Sequence, residues 1–151
     1  MRTENKNIGV LIIEDNPADV QLIREAFTDN MFQGNFSVYG DGESALEYLK
    51  KIEPENLHTR PDLVILDLNL PGKSGLEVLR EIKSHPSLKS IPVVVLTASS
   101  SDEHITQSYK LSANCFITKP IEYAEFVDVV KTVRDFWLNM VKLPTPSVSI
   151  Y

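Results

Sequence analysis

The chain has 151 residues, 42% hydrophobic and 24% charged, with a net charge of -6 and a single cysteine, Cys115. That length suits one domain with a core of its own. The acidic balance argues against a coat for nucleic acid, and one thiol excludes an internal disulfide or a multi-cysteine zinc site. Residues 1–7 are polar, and no apolar run approaches the ~20 residues of a membrane span. We therefore expect a cytoplasmic protein with no membrane contact.

Ile8 to Ile13 reads as a buried strand, aliphatic on both faces. Asn16-Pro17 opens a helix, with Asn16 able to cap and Pro17 suited to the first position; Val20, Ile23 and Phe27 follow at helical spacing. Phe36-Ser37-Val38-Tyr39 is a weaker strand closed by Gly40-Asp41-Gly42, and Ala45, Leu46, Leu49 and Ile52 mark the next helix. A polar connection over 53–61 leads to the most apolar strand, Leu63 to Leu68. Ser74 and Glu77 have capping-box spacing ahead of Leu76, Leu79 and Ile82.

Pro92 begins a fourth strand running to Thr97, and Ser100 with Glu103 predicts a capping box for a helix through Ile105 and Leu111. Cys115 to Thr118 is a short fifth strand. A long last helix is predicted from about Glu122 to Val141, with Phe126, Val129, Val130, Val133, Phe136, Trp137 and Met140 on its apolar side. Prolines 144 and 146 end any continuation. Five strand-helix pairs imply an α/β, doubly wound, five-stranded parallel sheet in a single domain. The expected division is a flexible amino terminus over 1–7, the domain over 8–141 and a proline-containing tail over 142–151.

In a parallel sheet all strand carboxyl ends meet at one edge, where open α/β sheets bind ligands. Glu14-Asp15, Asp67, Thr97 and Lys119-Pro120 fall there. Crowded carboxylates repel one another unless a cation intervenes, and an all-oxygen ligand set suits Mg²⁺, which couples readily to phosphate. Lys119 offers a compact positive charge for phosphoryl oxygens, and Thr97 a hydroxyl. The set is suited to phosphoryl transfer onto a carboxylate.

These elements, with Leu-Asp-Leu-Asn-Leu-Pro-Gly around Asp67, Gly75 opening the next helix and Leu-Thr-Ala-Ser at Thr97, resemble the response-regulator receiver domain of two-component signalling across about residues 8–140. Glu-Asp-Asn-Pro-Ala-Asp, the long polar stretch before Asp62, His85-Pro86 and Ile91-Pro92 are most similar to stand-alone phytochrome-associated regulators. The resemblance implies a flavodoxin-like fold and a phosphoryl group accepted on Asp67 from a sensor histidine kinase. It also implies Mg²⁺ held by Glu14, Asp15, Asp67 and the Asn69 backbone carbonyl. Lys119 and Thr97 would then contact the phosphoryl oxygens, Phe116 would follow Thr97 as a switch, and a cis bond would precede Pro120. Nothing resembling a DNA-binding or catalytic domain follows residue 141, so the expected output is protein contact. The regulator would catalyse only its own phosphorylation and slow dephosphorylation.

Plainer readings stand beside these. Asp67 could be a strand-end turn residue, Glu14 and Asp15 could serve the following helix, Thr97 could be core and Lys119 a surface charge. Phe116 suits core or switch equally. Cys115 reads as inert core, and His58, His85 and His104 as surface residues. The apolar excess at Phe136 and Trp137 suggests either core packing or a partner or homodimer face formed by the fourth helix, fifth strand and last helix. Among functions, a small phosphatase of haloacid-dehalogenase-like type would need a second acid at position 69, which is Asn. A phosphorylation-independent docking module would not need the acids, and a flavin-phosphate site would be repelled by them.

Overall fold

The computed structural model describes residues 8–28, 34–53, 56 and 59–140. The expected amino-terminal and carboxyl-terminal segments, with Val141 and His58, lie outside the described residues. The elements alternate as β1 (Ile8–Ile13), α1 (Pro17–Phe27), β2 (Gly34–Tyr39), α2 (Gly42–Lys50), β3 (Leu63–Leu66), α3 (Gly75–Ser84), β4 (Val93–Thr97), α4 (Asp102–Lys110), β5 (Cys115–Thr118) and α5 (Tyr123–Asp135), which continues into a π-helical turn, Phe136–Met140. The sheet is parallel throughout, in the order β2-β1-β3-β4-β5. This is the doubly wound, flavodoxin-like arrangement the alternation predicts.

Each face is buried because the central strands are aliphatic on both sides. On one face, Leu11, Ile13, Val64, Leu66, Val93 and Val95 meet α2 and α3 through Leu46, Leu49, Leu79 and Ile82. On the other, Val10, Ile12, Ile65, Val94 and Leu96 meet α1 and α5 through Ile23, Phe27, Phe126 and Val130. The strands run in step: Ile13 pairs with Leu66, Leu66 with Val95 and Thr97 with Thr118. That register brings their carboxyl ends level.

Helix starts follow capping chemistry. Asn16 accepts from the Ala18 and Asp19 amides ahead of Pro17, and Ser74 with Glu77 closes the predicted capping box. The fourth helix differs from expectation: Ser101, not Ser100, is the cap, its hydroxyl accepting from His104 N–H. Three consecutive serines offer equivalent hydroxyls, and the one in extended backbone three residues before a free amide wins.

Three further expectations change. The Lys119–Pro120 bond is trans, there being no cis peptide among the described residues; trans is the lower-energy form of an X–Pro bond. Phe136 is 46% exposed, in keeping with the surface alternative rather than with core packing, and Leu138, not counted on the apolar side, takes a core position. The wider π turn rotates the residues after Asp135 out of the α-helical phase, so a 3.6-residue reading places them wrongly. His104 is half-buried and hydrogen-bonded rather than a free surface side chain.

Candidate functional site

Each key residue lies at a strand end, fixed by backbone bonds across the sheet. The Asp67 amide donates to Ile13 O at 3.0 Å, the Glu14 amide to Tyr39 O at 3.0 Å, and the Lys119 amide to Thr97 O at 2.7 Å. Thr97, the last residue of β4, is fully buried. These ties fix where the side chains begin before any side-chain contact forms. Gly75 lets α3 start against this edge: a Cβ there would sit 2.5 Å from Asp67 O and from Leu68 Cα.

The side chains converge on Lys119. Its Nζ donates to Glu14 Oε1 at 2.6 Å, Asp19 Oδ2 at 2.7 Å and Asp67 Oδ2 at 3.1 Å. The other Asp67 oxygen accepts from Asn69 N–H at 3.1 Å. Glu14, Asp15 and Asp67 each bring a carboxylate oxygen within 4.8 Å of the others, with Glu14 and Asp67 buried and Asp15 exposed. Three hard oxygens on a common centre, one open to solvent, fit a divalent cation that keeps some of its water.

The charges are unequal. Burial pushes Glu14 up to about 7, with the Lys119 hydrogen bond opposing and the Asp67 charge adding to the rise. Burial also pushes Asp67 up, but hydrogen bonds from Thr97 and Asn69 and the nearby Lys119 ammonium outweigh it, holding that carboxyl below its ordinary value. Lys119 is raised: desolvation works against its charge, but Asp19, Glu14 and Asp67 together prevail. The pocket thus holds Asp67 as an ionised carboxylate beside a protonated lysine, while the Glu14 carboxyl is raised to about 7.

Sequence reasoning missed Asp19. It lies in the first turn of α1, and a helix that starts at the carboxyl edge of β1 places its first-turn acids over the pocket. Phe116 is partly buried against the α2–α3 side of the core, with its amide donating to the Tyr109 hydroxyl at 3.1 Å. Cys115 is half-buried, its thiol pushed up by burial, and lines an apolar groove with Ile117, Val129, Val133, Phe136 and Trp137.

Among the described residues, no helix is long and apolar enough to cross a membrane. The sequence profile of the response regulator receiver domain matches residues 10–131. Response regulator Rcp1 of Synechocystis sp. is 39% identical over 135 residues, 89% of this chain and 92% of its own. Chemotaxis protein CheY-3 of Vibrio cholerae is 32% identical over 120 residues, 80% of this chain and 86% of its own. Among solved structures, the phosphorylated cyanobacterial phytochrome response regulator RcpA is similar with a TM-score of 0.86 and 42% identity, over 92% of this chain and 99% of that one. The Mn²⁺-bound form of Rcp1 is similar at 0.85 and 38%, over 91% and 99%. With the acidic pocket, the buried threonine and the lysine already placed at one sheet edge, these matches show that the chain belongs to the response regulator receiver family, the phosphoacceptor proteins of two-component signalling.

Proposed function

We propose that Asp67 is the phosphoacceptor and that Glu14, Asp15, Asp67 and the Asn69 backbone carbonyl hold Mg²⁺. The observation that carries this reading is the Lys119 ammonium 3.1 Å from Asp67 Oδ2, beside a cluster of three carboxylates. An Asp67 oxygen attacks phosphorus, the bond from phosphorus to the donor histidine nitrogen breaks, and that nitrogen keeps the electron pair. A divalent cation supplies the charge that offsets the carboxylates and the phosphoryl oxygens. Lys119 exchanges its carboxylate contacts for a phosphoryl oxygen, and Thr97 donates its hydroxyl to another.

The donor we propose is a sensor histidine kinase of phytochrome type, by analogy with RcpA and with the bacteriophytochrome response regulator AtBRR, which is 34% identical over 90% of this chain with a TM-score of 0.65. The protein acts in the cytoplasm as one domain over residues 8–141, signalling through protein contact and turning over no outside substrate. A phosphatase is not favoured: the amide of Asn69 stands where a general acid would be needed. Incubation with acetyl phosphate and Mg²⁺ should add one phosphoryl group to the intact protein and none to Asp67→Asn. Equal gain by both would overturn the assignment.

For output we propose a homodimer through α4, β5 and α5, with Phe116 following Thr97. The support is the apolar groove at Phe136 and Trp137, together with Tyr109 and Phe136 exposed at 51% and 46%. Sedimentation with and without a phosphoryl mimic should give different dimer dissociation constants; identical ones would remove dimerisation as the output.

A further inference from the structure

The fourth helix is held differently from the others. Its only buried residue is Ser108, whose hydroxyl has no partner among the described residues. Where α2 and α3 bury aliphatic faces, α4 is tied to its surroundings by side-chain hydrogen bonds at two points. Near its end, the Tyr109 hydroxyl accepts from Phe116 N–H. At its start, His104 Nδ1 lies 2.6 Å from Ser99 Oγ.

Ser99 is a junction between this helix and the site. Its amide donates to Thr97 Oγ1 across a long 3.5 Å, its carbonyl accepts from Thr118 Oγ1 at 3.3 Å, and its hydroxyl accepts from the Ser101 amide at 3.4 Å. Ser101 is the cap of α4 and accepts from the His104 amide. A continuous run of hydrogen bonds therefore leads from the threonine hydroxyl beside Asp67 to a side chain on the first turn of α4. The weakest link is the one at Thr97.

We propose that His104 is a positioning residue: its imidazole bond to Ser99 latches the loop between β4 and α4 in the arrangement belonging to the unphosphorylated protein. The inference rests on the phosphoacceptor reading of Asp67. When Thr97 exchanges its hydrogen bond to Asp67 for one to a phosphoryl oxygen, the shift strains the long bond from Ser99 N–H first, and the loop can follow only by giving up the hydrogen bond to His104. A bond present in one of two states lowers the apparent affinity for any ligand that selects the other. His104 therefore opposes activation without touching the reacting atoms.

Beryllofluoride with Mg²⁺, a phosphoryl mimic, tests this by titration calorimetry. His104→Leu should bind it roughly fivefold more tightly than the natural protein, the equilibrium factor of one ordinary hydrogen bond. His104→Asn keeps an acceptor near the Nδ1 position and should restore the natural affinity, which loss of imidazole bulk alone would not. Ser99→Ala should match His104→Leu, and the double variant should gain nothing further. Unchanged affinity in His104→Leu, or equal gains in the Leu and Asn variants, would overturn the latch. If the natural protein and Asp67→Asn bound the mimic alike, the phosphoacceptor reading would fall and the latch with it.

Discussion

Lys119 lies closer to Asp19, at 2.7 Å, than to Asp67, at 3.1 Å. With Asp67, just past β3, as the proposed phosphoacceptor, the ammonium proposed to meet its phosphoryl group is drawn toward a carboxylate on α1. Asp19→Asn keeps an acceptor there and removes the charge. It should free Lys119 and raise the initial rate of phosphorylation by acetyl phosphate roughly fivefold, the effect of about 1 kcal/mol for a partly exposed ion pair. Mass spectrometry over time reads this directly, and a slower rate would show that Asp19 helps catalysis rather than restraining it.

Glu14 sets a pH dependence. Its carboxyl, raised to about 7 from an ordinary 4.5, keeps a proton in the fold that the unfolded chain has already lost. Its contribution to the stability of the metal-free protein is therefore full below about 4.5 and disappears as pH rises to about 7. Metal binding has the opposite slope, because a ligand must be deprotonated. Mg²⁺ affinity should rise about tenfold between about pH 6 and pH 8, as expected for one released proton. A flat calorimetric profile across that window would refute it.

Gly75 is fixed by its close neighbours rather than by backbone angle. The methyl group of Gly75→Ala would meet the Asp67 carbonyl and Leu68 Cα at 2.5 Å, both of them backbone. Overpacking against atoms that cannot rotate away should cost about 2–3 kcal/mol. At roughly 2–4 °C per kcal/mol for a chain of this size, Tm should fall by roughly 4–12 °C. Weakened Mg²⁺ binding should accompany it, since α3 and Asp67 must shift together; an unchanged Tm would mean that the helix start moves aside easily.

Leu138 tests where the domain ends. It is only 6% exposed although it lies in the π-helical turn. Leu138→Ala should cost about 2–4 kcal/mol by leaving a cavity in the α1–α5 layer. Phe136→Ala should cost less, about 1 kcal/mol or below, because Phe136 is 46% exposed and its main ring contact is with Trp137. Chemical denaturation separates the two, and equal losses would contradict the burial.

The strand set was legible because aliphatic runs bounded by turn chemistry have few other uses. Glu14, Asp67, Thr97 and Lys119 were legible because a parallel sheet places every strand end at one edge. Asp19 was not: its role depends on how far α1 tilts over that edge, which a linear pattern does not encode. The cap at Ser101 was hidden in a run of equivalent serines, and Leu138 behind a change of helical phase. Nor could the pattern separate Glu14 from Asp15, adjacent acids of which one is buried and the other exposed.

Lys119 and Glu14 are 105 residues apart in the chain and touch at 2.6 Å. The pocket therefore exists only when the ends of β1 and β5 are both in place, with β3 and β4 between them. No fragment lacking either strand can assemble it. A ligand there favours the complete sheet over every partly formed one, by mass action. Exchange of amide protons in β1 and β5 should slow in parallel when the pocket is filled, although the two strands share no ladder. Occupancy of one small site is thus felt as cooperativity across the whole sheet.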